Sequence, residues 1–180
     1  MRKRGLINVF LVVFLAISLL SCSRGFRKLE KSGDWKSKYQ GGLVLYEKED
    51  YSRASILFEQ ILPVIRGLPE GEDVQFKLAY CNYYQGAYLL SSHYFKTFFE
   101  TYGRSEKAQE AQYMYAYSLY ADSPVYNLDQ ASSYEAIDAM QTFLNRYSTS
   151  KFKDEAGDII DELQRKLEKK AYERRNNIFN

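Results

Sequence analysis

Apolar residues between positions 39 and 147 recur at the three-and-four spacing of a helix face, in two patterns that alternate along the chain. The first pattern has apolar residues three before, one after and four after a small residue. It recurs every 37 residues, centred on Gly42, Ala79 and Ala116. The second pattern follows each copy and is centred on Ala54, Ser91 and Ala136. Each pair of patterns predicts a helical hairpin, whose small residues would let its first helix (helix A) and second helix (helix B) pack closely.

Three such units and a last helix are predicted, in a repeat domain that covers residues 39–180. The units run over about 35–70, 72–104 and 105–149, and the last helix over about 150–176. The second pattern shifts by 45 rather than 37 residues in the third unit. We place the eight extra residues in its connection, within 121–130, where Pro124 and Asn127 favour a loop.

Two kinds of boundary signal separate the units. A run of helix-breaking residues predicts a long break before a helix that starts near Glu72; these residues are Pro63, Gly67, Pro69 and Gly71. Serine stands at the other two boundaries, so Ser105 and Ser150 are predicted to cap the N-termini of the helices that follow.

This pattern resembles the tetratricopeptide repeat, a helix–turn–helix unit of about 34 residues. The resemblance predicts an all-α fold: a tetratricopeptide-repeat superhelix of helical hairpins, with about three repeats plus a C-terminal helix. The boundary proline typical of the repeat is missing.

The length and charge of the N-terminal segment indicate a targeting sequence. Basic residues 2–4 precede a 15-residue apolar stretch, 6–20, which is shorter than the ~20 residues that span a bilayer. Leu19-Leu20-Ser21-Cys22 is similar to a bacterial lipobox. We therefore predict a signal peptide at 1–21, covalent lipid on Cys22, and a basic tether at 22–38 that leads into the first helix. An uncleaved anchor and an ordinary secreted protein are the alternatives.

Charge and composition exclude several classes of protein. Without residues 1–21 the chain has 22 Lys+Arg against 23 Asp+Glu, and no basic stripe suggests nucleic-acid binding. Two cysteines and one histidine cannot make a tetrahedral zinc site, so we expect no metal and a buried Cys81 thiol. No phosphate loop or nucleophile motif occurs. We expect no enzyme and no cofactor apart from the lipid.

The chain has 17 tyrosines and one tryptophan, and many of its aromatic residues fall at one set of positions. In tetratricopeptide arrays the three apolar positions of the first pattern face the groove. Apart from Leu43, they are aromatic here, and we predict a peptide-binding groove lined by Tyr39, Tyr46, Phe76, Tyr80, Tyr83, Tyr113, Tyr117 and Tyr120. Alternatively, the rings pack between neighbouring A helices as core. Inner rings could also pack while outer rings stay available.

The third unit resembles the BamD family, the tetratricopeptide lipoproteins of the outer-membrane β-barrel assembly machinery. The likeness rests on residues 113–120, on Ser123-Pro124 and Asp129-Gln130, on Ala136-Ile137, on Phe143-Leu144-x-x-Tyr147, and on the region 163–172. Gly103 and Ser148 depart from it, since the family usually has proline there. BamD proteins also generally continue into a fifth unit, so we expect a C-terminal truncation or a reduced docking surface.

The resemblance implies a scaffold at the periplasmic face of the cell outer membrane. Its implied partners are unfolded outer-membrane β-barrel proteins and the barrel-forming subunit with periplasmic repeats, besides the membrane that holds the anchor. The alternative function is a tetratricopeptide adaptor lipoprotein in envelope or peptidoglycan organisation. A helper domain of a cell-wall enzyme is a third, which the absence of a catalytic motif disfavours.

Overall fold

The structure, a computed structural model, describes residues 25–125, 128 and 130–179, with side chains to residue 176. The predicted signal peptide (1–21), Cys22 and the loop residue Asn127 lie outside the described residues. Within these ranges the chain forms helices and no strand, which confirms the all-α prediction. After a short helix α1 (residues 25–30), the order is α2 (Trp35–Glu47), α3 (Tyr51–Ile65), α4 (Pro69–Tyr84), α5 (Tyr88–Thr101), α6 (Ala108–Asp122), α7 (Ala131–Arg146) and α8 (Lys153–Phe179).

Successive helices pack as antiparallel hairpins. Helices α2, α4 and α6 are the A helices, each followed by its B helix α3, α5 or α7, and every helix from α2 to α8 packs on the next. Two clusters of buried apolar side chains fill the array. One lies around Phe58 in the first hairpin, and the other extends from Phe76 through Phe143 to Leu163 of α8. Because α8 buries one face against α7, it continues the stack as a fourth A helix.

The small residues of the two sequence patterns lie where the helices of a hairpin meet. Ala79, Ala116, Ala54 and Ala136 are fully buried. Ser91, the small residue of α5, donates its hydroxyl to the carbonyl oxygen of Ala79 on α4 at 3.1 Å. In the first hairpin a Cβ on Gly42 would lie 2.5 Å from Cε1 of Phe58. A larger residue at these positions would therefore separate the two helices.

Replacing Gly42 by alanine is expected to destabilise the protein by up to about 2 kcal/mol. The new methyl group would displace the buried Phe58 ring, which costs about 1–3 kcal/mol, while the better helix propensity of alanine returns about 1 kcal/mol. Gly157 in α8 is the matched control, because nothing lies within 4 Å of its Cβ position. Gly157→Ala should stabilise the protein by about 0.5–1 kcal/mol. Urea unfolding of both variants would contradict this reasoning if the two midpoints moved in the same direction.

The predicted break before the second unit is wrong in its details. Pro63 lies inside α3, which continues to Ile65, and α4 begins at Pro69 rather than near Glu72. Proline is favoured at the first helical position because its missing N–H has no partner there in any helix. Gly71 is buried within α4, and a Cβ on it would lie 2.6 Å from the Ile65 carbonyl oxygen. This glycine permits a close approach of two helices and does not break one.

The two boundary serines cap a turn that precedes each helix, so their predicted role as helix caps is wrong by about one turn. Helix α6 begins at Ala108 with Lys107 as its N-cap residue, and α8 begins at Lys153. The Ser105 hydroxyl accepts a hydrogen bond from the Lys107 backbone N–H at 3.0 Å. In the same way, Ser150 accepts from the Phe152 N–H at 3.2 Å.

The connection inside the third hairpin is long, as predicted. It comprises eight residues, 123–130, whereas the first two hairpins have three each, 48–50 and 85–87. The Gln130 side chain is buried and donates to the carbonyl oxygens of Val125 and Leu128. Cys81 is a free, fully buried thiol on α4, as expected, and burial raises its pKa to about 12.

Candidate peptide-binding groove

The eight predicted groove residues lie on the three A helices, but the structure divides them into two groups. Phe76 and Tyr113 belong to the core, with 9% and 3% of their surface exposed. The other six are half-buried: Tyr39, Tyr46, Tyr80, Tyr83, Tyr117 and Tyr120. The core interpretation therefore describes two of the rings. The six others keep part of their surface accessible, and peptide binding by them stays a prediction.

The buried rings join each A helix to the B helix of the same unit. Phe76 packs against Phe95 and Phe98 of α5, with ring centroids 5.9 and 5.1 Å apart. Tyr113 lies between Phe143 of α7, at 5.6 Å, and Phe152, on which it stacks at 4.2 Å. These two rings face inward because they pack on rings of the B helix that follows.

The half-buried rings of the second and third units form one continuous surface. Tyr83 of α4 contacts Tyr117 of α6, with centroids 6.1 Å apart, and Tyr117 contacts Tyr120 at 5.6 Å. Tyr83 also contacts Tyr88 at the start of α5. Aromatic faces and edges of this kind suit other aromatic or apolar side chains, which pack edge-to-face or offset-stacked.

Carboxylates of the next A helix accept hydrogen bonds from the tyrosine hydroxyls. Tyr80 donates to Glu110 of α6 at 2.5 Å, and Tyr120 donates to Glu162 of α8 at 2.8 Å. Tyr39 makes a longer hydrogen bond, 3.4 Å, to Asp73 of α4. Asp73 and Glu110 each stand six residues before the small residue of their A helix. This acidic position was missed in the sequence, although its 37-residue period could have identified it.

The groove cations Lys77 and Lys107 already contact a carboxylate and an aromatic ring of the groove itself. Asp73 lies 3.0 Å from the Lys107 ammonium and 3.4 Å from that of Lys77. Lys77 also lies 5.1 Å from the centre of the Tyr46 ring, and Lys107 5.3 Å from that of Phe76. A groove that recognises a peptide carboxylate needs available Lys, Arg or Asn donors. The geometry here favours recognition through aromatic contact.

Two further tyrosines, which the sequence pattern did not select, complete the aromatic surface. Tyr84 ends α4 and stacks on Tyr51 of α3 at 4.5 Å and on Tyr80 at 5.8 Å. Tyr46 contacts Tyr51 edge-on at 5.5 Å. The stack of Tyr51 on Tyr84 therefore joins the groove rings of the first unit to those of the second. Tyr84 is 52% exposed, more than any predicted groove ring. It was missed because it stands five residues after Ala79, outside the periodic positions.

Two groove tyrosines, Tyr83 and Tyr120, and Tyr115, which lies outside the groove, make the stability of the protein depend on alkaline pH. Burial raises the pKa of Tyr83 to about 12, and burial together with Glu135 raises the pKa of Tyr115 to about 12. Hydrogen bonding to Glu162, with a smaller contribution from burial, does the same for Tyr120. In the unfolded chain these hydroxyls titrate near pH 10. The folded state therefore keeps protons that the unfolded state loses between pH 10 and 12.

We expect the free energy of unfolding to be insensitive to these tyrosines below pH 10 and to fall above it. The fall should reach up to about 1.4 kcal/mol per pH unit for each such tyrosine, because the unfolded state then binds fewer protons than the folded state. Urea unfolding between pH 9 and 11.5 measures the slope. Tyr115→Phe should make the slope shallower by the contribution of one tyrosine. An unchanged stability up to pH 11.5 would contradict the prediction.

The described residues offer neither a cluster of metal-ligating side chains nor a membrane-spanning helix. They contain no group of three or more His, Cys, Asp or Glu side chains that could hold a metal ion. None of the helices in this part of the chain is long and apolar enough to cross a membrane.

The model of the YfiO family, described as an outer membrane lipoprotein, matches residues 32–175, which is most of the chain and all of the groove. No curated protein matches the chain.

Proposed function

The chain belongs to the YfiO family of outer membrane lipoproteins, and from this premise we propose that it is a BamD-type component of the outer-membrane β-barrel assembly machinery. In this role it is a scaffold that binds unfolded barrel proteins and the barrel-forming subunit with periplasmic repeats. The proposed role is non-enzymatic, needs no cofactor apart from the lipid, and involves no nucleic acid.

The observation that carries the proposal is the continuous aromatic surface of the three hairpins. Tyr46, Tyr51 and Tyr84 connect the first unit to the second, and Tyr83 and Tyr117 connect the second to the third. In the strands of a membrane β-barrel, every second residue faces outward and is apolar, and aromatic residues form a girdle at each membrane interface. An extended, unfolded segment of such a protein offers the side chains that half-buried tyrosine rings can stack on.

The proposed location follows from the family and the lipobox. The family is described as an outer membrane lipoprotein, which supports this location. We propose Cys22 as the lipid attachment residue and the periplasmic face as the side on which the repeats lie. A diacylglycerol group with an additional acyl chain makes a stable anchor, whereas a single chain binds only marginally.

Photo-crosslinking tests where an unfolded barrel protein binds. A photoreactive phenylalanine analogue in place of Tyr84 or Tyr117 should crosslink to barrel proteins under assembly in intact cells, because both positions lie on the aromatic surface. Val64, 64% exposed at the other end of its hairpin, is the matched control position and should give no such product. Equal crosslinking at Val64 and Tyr117 would overturn the groove assignment.

Capture from detergent-solubilised envelopes tests the machinery itself. The full chain should retain the barrel-forming subunit with periplasmic repeats, identified by mass spectrometry. Recovery of peptidoglycan-associated proteins in its place would favour the alternative, an adaptor lipoprotein in envelope or peptidoglycan organisation. If the barrel-forming subunit is not recovered while the groove crosslinks are still formed, the protein is not a member of the machinery, but the binding surface stands.

A further inference from the structure

The antiparallel hairpins place their inner connections on one edge of the array. In each unit the A helix runs towards the connection and the B helix runs back from it. Residues 48–50 and 85–87 therefore lie on the same side as the described residues of the third connection, 123–125, 128 and 130. We name this side the turn edge. The links between units, such as 66–68, lie on the opposite edge.

Exposed large apolar side chains are concentrated at the turn edge. Seven of the ten such residues among the described ones lie in the inner connections or within four residues of a helix end that adjoins one. They are Val44, Tyr84, Leu89, Leu90, Val125, Leu128 and Tyr134. Leu89 and Tyr134 occupy equivalent positions in the second and third units, 45 residues apart, at 58% and 63% exposure. A lone exposed apolar residue needs no explanation, but a set that shares one edge does.

The basic end of α8 extends from the same edge. Because α8 is the fourth A helix, its C-terminal half points in the direction of the inner connections. Leu163 is its last buried described residue, and residues 164–176 carry six basic and two acidic side chains. Lys166 donates to the Ser123 carbonyl at 3.3 Å, and Lys170 donates to the Leu128 carbonyl. These contacts fix the basic helix beside the exposed Val125 and Leu128.

The chain also enters the described structure at the turn edge. Leu29 of α1 lies against Gly41 in the middle of α2, while Phe26 lies under the Arg53 guanidinium, 5.6 Å from the ring centre. Arg53 belongs to the first turn of α3, next to connection 48–50. Helix α1 therefore runs away from the turn edge, and residue 25 lies close to that edge. Cys22 is three residues before it in the sequence.

We infer that the turn edge is a membrane-contacting surface, which lies against anionic phospholipid on the bilayer that holds the Cys22 lipid. The apolar side chains of the second and third connections enter the interface, and the basic half of α8 binds the phosphate-rich headgroup layer. This pairing of apolar and basic groups is the chemistry that an anionic lipid surface recognises. The inference rests on the proposed lipid anchor for its orientation.

The charges at the first connection determine where contact is centred. Glu47, Glu49 and Asp50 lie there with Lys48 and Arg53, so this end of the edge is slightly acidic. The stretch from Tyr83 to Ser92 contains no charged residue, and it forms the second connection and its flanks. Contact should therefore be strongest at the second and third connections.

Depth-dependent fluorescence of the full lipoprotein in vesicles tests the inference. Single cysteines replace Leu89 or Tyr134 at the turn edge, or Val64 at the opposite edge, and carry a polarity-sensitive label. Cys81 is fully buried and Cys22 carries the lipid, so neither should react. In vesicles with phosphatidylglycerol, headgroup spin-labelled lipid should quench the label about twofold or more at the two turn-edge sites, with a blue shift, and leave Val64→Cys nearly unchanged.

A charge-reversal variant tests how much the basic end of α8 contributes to membrane contact. Replacing Arg174 and Arg175 by glutamate should reduce the quenching at Leu89→Cys towards its value in purely zwitterionic vesicles, because headgroup attraction is lost. Both arginines are exposed beyond the last buried residue of α8, so the helical stack should keep its circular dichroism.

Three outcomes would overturn the inference. Quenching that is absent at both edges, or equal at both, would show that the turn edge has no preferred contact with lipid. Labels at Leu89 and Tyr134 that are protected from aqueous iodide but not quenched by lipid would indicate a protein interface.

The lipid on Cys22 is measured by the mass of the same preparation, and capture of the barrel-forming subunit is measured separately. Failure of the membrane contact is thus distinguishable from failure of the proposed function.

Discussion

Replacement of Phe95 by alanine is expected to lower the free energy of unfolding by about 3–5 kcal/mol. Phe95 has no exposed surface, and its ring lies 5.9 Å from Phe76 and 5.0 Å from Tyr80, centre to centre. Its removal leaves a cavity between α4 and α5 that these two rigid rings cannot fill. Because a domain of this size is stable by only about 5–15 kcal/mol, the loss would be a large part of the total.

Urea unfolding followed by far-ultraviolet circular dichroism measures this effect. Leu89→Ala on the same helix is the control, since Leu89 is 58% exposed and its truncation should change stability by less than about 0.5 kcal/mol. Similar unfolding midpoints for the two variants would contradict the burial of Phe95.

The same measurement separates the two interpretations of the groove rings. Tyr83 and Tyr120 are half-buried, so alanine at either position should cost less than Phe95→Ala. Tyr120→Ala removes the hydrogen bond to Glu162 and part of the ring contact with Tyr117, which together amount to about 1–2 kcal/mol. If either tyrosine variant unfolds as readily as Phe95→Ala, these rings are core and do not form a docking surface.

Replacement of Cys22 by alanine is expected to abolish lipid attachment and to remove the protein from the outer membrane. The thiol is the proposed attachment atom, and without it no diacylglycerol can be added and the lipoprotein signal is not processed. Incorporation of a labelled lipid precursor should fall to background. The share of the protein in the outer-membrane fraction should fall by roughly tenfold or more, because acyl chains provide the anchor.

Cys81→Ala is the matched control, because it removes the other cysteine of the chain. The Cys81 thiol is fully buried on α4, so its loss should slightly lower stability and leave lipid labelling unchanged. Label that survives in Cys22→Ala would refute the lipobox interpretation. It would also remove the anchor on which the proposed orientation of the turn edge depends.

The helical hairpins could be predicted from the sequence because their signals are local. Periodicity shows which face of a helix is apolar, and the small residues Gly42, Ala79 and Ala116 show where the partner helix packs. The same local signals were ambiguous for proline and glycine. Pro69 starts a helix and Gly71 permits a close approach, whereas the sequence pattern predicts that both are parts of a break.

The surface chemistry of the groove could not be predicted in the same way. Tyr113 and Tyr117 stand on the same helix within one turn, but one ring is buried on Phe152 and the other keeps part of its surface accessible. The difference arises from residues about 40 positions away along the chain. Tyr84 is part of the surface because its ring stacks on Tyr51 of the preceding hairpin and on Tyr80.

The sequence by itself determined the fold class, the three hairpins with their small contact residues, the long third connection and the buried Cys81. All of these follow from the spacing of apolar and small residues within a helix, from the 37- and 45-residue offsets at which that spacing recurs, or from the polarity of a single position. Only the tertiary structure decided which rings are core, that Glu110 and Glu162 hold the tyrosine hydroxyls, and that exposed apolar residues and the basic end of α8 share one edge. These features depend on distances between different hairpins, which are set by how the helices stack and not by the residues that adjoin each position in the chain.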